Sequence, residues 1–308
     1  MSLFLSRVAA ELLNTPLAID ETRANIMLQA LGPRLFGRSV VISGHADLEP
    51  RAGILPQRLD VRLQREGRNA FPVIDGVAVI EIEGALVHKG SWIGMDCGET
   101  SYEGLRTQIA RARRESSVKA AVFEVDSPGG SVSGLFETAQ DLARLSAEKP
   151  TMAILPSSAC SAAYLLASQA RRVVMPEFGF AGSIGAVVMH VDYSAMLNEA
   201  GVKVTLISSG AHKVDGNSFE PLSTDVVDRI RADLDQVRAR FAEVVAGGRR
   251  KALTAKAALA TEAQVYSGRE AVTLRLADAI GDPLEAFAAF RADVSRLCSG
   301  STRSIAMY

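Results

Sequence analysis

With 308 residues, 48% of them hydrophobic, the chain can bury at least one large core, and one to two domains are expected. A formal net charge of −1 gives no reason to expect a nucleic-acid or membrane-surface partner. Cys97, Cys160 and Cys298 are far apart and without a Cys-x-x-Cys pair, which disfavours a disulfide framework or a metal site and fits a reducing compartment.

The opening "MSLFLSRVAAELL" lacks the charged-then-apolar order and small-residue cleavage site of a secretory signal. No uninterrupted apolar run reaches the roughly 18 residues of a membrane span, so a soluble, cytoplasmic protein is expected. Residues 1–70 read as a helical lead-in and linker. "SRVAAELL" and "ETRANIMLQALG" have helical spacing, while Pro16, Pro33, Pro50 and Pro56 break the segment up.

From Val77 the pattern changes. "VAVIEIEG" predicts a strand, "YEGLRTQIARARRES" a helix, "VKAAVFEVD" a strand and "SGLFETAQDLARLSAE" a helix. "TMAILPS", "RRVVM", "SIGAVVMHV" and "KVTLIS" predict further strands, and "SAAYLLASQA" and "YSAMLNEAG" further helices. Alternating elements with apolar strands imply an α/β fold whose sheet is covered by helices on both faces. Val226, Val227, Ile230, Leu234, Val237, Phe241 and Val244 then mark one amphipathic helix of about 25 residues. A more helical tail closes the fold. The expected division is a lead-in over 1–70, an α/β domain over 71–285 and a C-terminal helix and tail over 286–308.

Three places can carry chemistry. In "VFEVDSPGGSVSG", Gly129 and Gly130 read as a strand-to-helix turn whose free N–H groups suit an oxyanion, or simply as a tight turn. The Gly-Lys-Ser/Thr ending of a phosphate loop is missing. In "LPSSACSAAYLLASQA", Ser161 stands where a helix begins, as a nucleophile or as an N-cap. Ala162 and Ala163 beside it leave room for a substrate to lie against the backbone. In "FAGSIGAVV", Ser183 lies between Gly182 and Gly185, and Lys213 follows in the loop after the next expected strand.

A serine nucleophile needs a base. Of the four histidines, His45 is in the lead-in and His88 precedes a glycine-containing turn, while only His190 and His212 follow Ser161. Lysine can serve if its pKa falls from about 10.4 toward 7–8, a shift of about three units that corresponds to roughly 4 kcal/mol. Otherwise Lys213 stays charged and pairs with Asp215 in solvent.

Taken together, "DSPGGS", "SACSAAY", "AGSIGAV" and "SSGAHKVDGN" resemble, in order and spacing, the motifs of the signal peptide peptidase A family of serine peptidases. "VYSGREAVTLRLADAIG" is similar to that family's closing segment, so the resemblance covers roughly residues 73–285. "HKVDGN" and "NTPLAIDETRANIML" resemble the capsid assembly proteases of lambda-type tailed phages, the minor capsid protein C type.

This resemblance implies a Clp-protease/crotonase fold, a Ser-Lys dyad, no cofactor and no metal. It makes Ser161 the nucleophile, Lys213 the general base and Ser183 the serine that hydrogen-bonds the lysine. Gly129, Gly130 and the N–H of Ala162 become the oxyanion hole. The implied substrates are proteins or peptides, such as scaffold, portal or coat proteins of a phage or prophage head, and a homo-oligomer is implied. Family members often carry Ser-Gly-Gly where this chain has Ser161-Ala162-Ala163, so added methyl groups are expected to narrow the groove. The chain reads as the protease portion of longer viral relatives. Alternative readings are a triad using His190, a host peptidase of signal peptides or general degradation, a catalytically idle assembly protein and a crotonase-type acyl-CoA enzyme.

Overall fold

The computed structural model describes residues 17–19, 71–88, 99–250 and 252–298. Both expected lead-in helices, His45 and Cys97 lie outside these residues. In chain order the strands are β1 (Leu17–Ile19), β2 (Val73–Ile74), β3 (Val77–Val87), β4 (Glu99–Ser101), β5 (Ala120–Ser131), β6 (Thr151–Ile154) and β7 (Ser158–Cys160). They continue as β8 (Arg172–Met175), β9 (Phe180–Gly182), β10 (Val265–Ser267) and β11 (Ala279–Ile280). The helices are α1 (Tyr102–Arg114), α2 (Leu135–Glu148), α3 (Ala162–Ala167), α4 (Ser194–Glu199), α5 (Thr224–Gly248), α6 (Ala255–Leu259), α7 (Gly268–Thr273) and α8 (Pro283–Cys298).

The main sheet is parallel from β3 through β5, β6 and β8 to β11, as the buried, apolar strands predict. Alternation along each strand divides the core in two. Val77, Val79, Val122, Met152, Ile154 and Val174 pack with Phe287, Phe290 and Val294 of α8. Ala78, Ile80, Ile82, Phe123 and Val125 face the other way, onto Leu105 and Ile109 of α1, Leu142 and Leu145 of α2, and α3. Ser101 caps α1 by accepting from the Gly104 N–H, and Ser223 caps α5 from the Val226 N–H. The long helix spans 25 residues as the apolar spacing predicts, but only Phe241, Ala242 and Val245 are fully buried.

β5 also belongs to a second sheet. At Ser127 it pairs in parallel with Ala159 of β7, which pairs with β9, which is antiparallel to β10. Between the pairs Glu83↔Asp126 and Ala85↔Gly129, β5 carries two residues where β3 carries one. This is a bulge, and Pro128 falls inside it, where its missing N–H costs no ladder bond. The buried Ser127 hydroxyl closes the bulge: it donates to the Gly84 carbonyl at 2.6 Å and accepts from the Gly129 N–H at 3.1 Å.

Several expectations are corrected here. The Asp126–Gly130 stretch is not a strand-to-helix turn but the continuing β5, and helix α2 begins only at Leu135, after Gly134 at φ 87°. "SIGAVVMHV" holds a single bridging residue, Val187, and "KVTLIS" forms no strand, with residues 202–208 exposed. Strand-forming sequence needs a neighbour's N–H and C=O groups, and for "KVTLIS" none is paired among the described residues. β10 and β11 are short strands within the tail that was expected to be mostly helical.

Candidate active site

Ser161 follows β7 and precedes α3 with φ 53° and ψ −123°, a backbone conformation that L residues rarely adopt. Such strain costs about 1–3 kcal/mol and concentrates at functional sites. The junction is fixed on both sides. The Ser161 N–H donates to the Gly182 carbonyl at 2.8 Å, and its carbonyl accepts from Leu165 N–H at 3.0 Å. Ser158 anchors β7 to β5 through its N–H and hydroxyl, which reach Asp126 Oδ1 at 3.4 and 3.2 Å.

The Ser161 hydroxyl does not cap α3; its one acceptor is the Gly185 carbonyl at a long 3.5 Å. A capping role therefore does not explain this serine. Nor does the helix dipole carry much weight, because α3 is only six residues long. Ala162 and Ala163 are fully buried core residues, so their methyl groups pack inward and do not narrow a groove.

The parallel pair Cys160↔Gly182 sets Ser161 and Ser183 at equivalent positions on adjacent strands. Ser183 is also buried, also has positive φ at 56°, and its N–H donates to the Gln264 carbonyl at 2.8 Å. Gly182 between them has φ 126°, and a Cβ there would meet the Gln264 carbonyl oxygen at 2.6 Å. On β5 the Gly129 N–H is already engaged by Ser127, whereas Ala162, at the first position of α3, has an N–H without an intrahelical partner.

The lysine stands apart. Lys213 is exposed, in a turn where its N–H donates to the Gly210 carbonyl at 3.2 Å. Among the described residues its side chain makes no hydrogen bond to Ser161 or Ser183 and no ion pair. The expected partner Asp215 is held instead by Arg229 and by His212 Nδ1 at 2.9 Å. His190 is committed elsewhere: its Nε2–H donates to the Asn217 carbonyl at 2.9 Å. The structure thus brings Ser161, Ser183 and the β5 glycine segment together and leaves Lys213 outside that group. Ser127, which sets the glycine segment, was missed as a turn residue; its place between Asp126 and Pro128 in an apolar strand was the available signal.

Comparison with known proteins agrees with the motifs. Residues 143–295 match the model of Peptidase family S49. Capsid assembly protease C of Escherichia phage lambda is 34% identical over 96% of this chain and 68% of that protein. Head-tail preconnector protein GP5 of Enterobacteria phage P21 is 33% identical over 97% of this chain, which spans 59% of that relative's length. Protease 4 of Haemophilus influenzae is 29% identical over 70% of this chain and 34% of its own. Among solved structures, a membrane-bound stomatin-specific protease with a substrate peptide overlays at TM-score 0.43, with 15% identity over 71% of this chain and 79% of its own. An enoyl-CoA hydratase from Shewanella pealeana overlays at 0.42, with 13% identity over 76% and 77%. On the motifs and these relatives, the chain belongs to Peptidase family S49.

Proposed function

We propose that this chain is a serine endopeptidase that cleaves proteins during assembly of a phage or prophage head, with Ser161 as nucleophile and Lys213 as base. The observation that carries the reading is the strained, uncapped Ser161 beside Ser183 at the junction of two sheets. The names of the lambda and P21 relatives support the head-assembly setting.

The neutral Lys213 amine takes the Ser161 hydroxyl proton while Oγ attacks a peptide carbonyl carbon. The oxyanion accepts hydrogen bonds from the N–H groups of Gly130 and Ala162, while Gly129, its own N–H held by Ser127, shapes the turn beneath. The lysine then returns the proton to the departing amine. Water, deprotonated by the same amine, releases the acyl group. Ser183 holds the lysine in line. No cofactor takes part.

For Lys213 to reach Ser161, the segment from 201 to 213 must be repositioned, and a second copy of the chain is the partner that does so. Val202, Val204, Leu206 and Ile207 are exposed, Ile207 to 94%. Val226, Val227, Ile230, Leu234 and Val237 of α5 are only half-buried. Covering these groups would also enclose the segment that carries Lys213. Among the described residues no helix is long and apolar enough to cross a membrane.

The test is co-expression with capsid, portal and scaffold genes, with products compared by mass spectrometry. Cleaved head proteins are expected with the wild-type chain and none with Ser161→Ala. Equal cleavage by both would refute the assignment.

A further inference from the structure

Beyond Pro128, one edge of β5 is taken by β3, with Ala85↔Gly129 and Leu86↔Gly130 in parallel register. β7 pairs with β5 only through Ser127↔Ala159. The opposite edge at Gly129–Ser131 would be open, but β1 lies on it antiparallel, with Leu17↔Ser131, Ala18↔Gly130 and Ile19↔Gly129. A segment more than a hundred residues away in sequence thus occupies the glycine strand of the candidate site.

This edge is also the one that lies nearest Ser161. Extending the β5–β7 register by two residues brings Ser161 level with Gly129, and therefore level with Ile19. Gly129 and Gly130 have no side chains to hold a partner backbone away. An extended peptide added to such an edge gains main-chain hydrogen bonds whatever its sequence. Ser161 is only 1% exposed, so no substrate reaches it unless some part of its cover moves.

We infer that β1 is an internal competitor, a strand of this chain lodged where an extended substrate pairs and displaced when one binds. The inference rests on the peptidase reading of the Ser161 site. Three residue pairs are a short ladder, and tethering supplies the high local concentration that keeps so short a segment in place.

The experiment uses the full chain carrying Ser161→Ala, so that binding is read without turnover, and a fluorescent peptide with the sequence of residues 15–21 as probe. Ala18→Pro and Ile19→Pro are compared with their parent. N–H groups of successive strand residues point to opposite sides, so one of the two prolines removes a donor to β5. Loss of one or two such bonds should tighten peptide binding about five- to tenfold in at least one variant. Hydrogen exchange at the Gly129–Ser131 amides should quicken in the same variant when no peptide is present, and slow again on adding it. Equal affinities in all three proteins, or no binding in any, would overturn the inference. Activity of the chain with Ser161 intact is measured separately, so failure of the peptidase reading is recognised on its own.

Discussion

At the residue scale the candidate chemistry depends on few atoms, and their roles separate by substitution. Lys213→Ala should lower peptide turnover by about 10³-fold or more, as loss of the base does in serine hydrolases. His190→Ala should stay within a few-fold of wild type, because that imidazole already donates to the Asn217 carbonyl. Initial rates at matched concentration decide between them, and the reverse order would favour a histidine triad. Gly130→Ala tests the glycine strand by stability. A Cβ there would lie 1.9 Å from the Leu86 carbonyl oxygen, a backbone atom that cannot swing aside. Thermal unfolding should show a loss of about 1–3 kcal/mol or more.

At the element scale, Arg249 and Asp278 join the end of α5 to the main sheet. The guanidinium is 2% exposed and reaches both Asp278 oxygens, at 3.0 and 2.7 Å, and the Arg275 carbonyl at 3.0 Å. Asp278 Oδ2 also accepts from the Val173 N–H at 2.7 Å, at the edge of β8. Arg249→Ala leaves that carboxylate partly buried without its cation and should cost about 3–5 kcal/mol by denaturant unfolding. Elements whose residues alternate between two cores were legible in the sequence: β3, β5, β6 and β8 announce themselves through Val77–Ile82, Val122–Val125, Met152–Ile154 and Val173–Met175. The Asp126–Gly130 stretch misled, because Pro and Gly signal a turn in isolation, and only the register against β3 reveals a bulge. "KVTLIS" misled in the opposite way, having strand composition but, among the described residues, no strand paired with it.

At the scale of the whole molecule, apolar side chains at 202–207 and along α5 remain in water in the single chain, and Lys213 sits on the same segment. Self-association should therefore govern activity. Specific activity is expected to fall on dilution in step with dissociation seen by sedimentation. Ile207→Asp should remain folded yet monomeric and idle. A monomeric variant as active as wild type would refute the link. The place of Ser161 just before α3 was readable because that motif carries its own local geometry, whereas nothing in the segment around Lys213 sets where its side chain lies.

β5 threads the deepest layer of the core and emerges as the glycine segment beside Ser161 without a break. No hinge separates scaffold from cleft. Cavity-forming changes at hidden positions such as Phe123 or Val125 should reach the far end of the same strand. A screen for temperature-sensitive alleles would then collect more of its hits among these interior side chains than on the loops around the site.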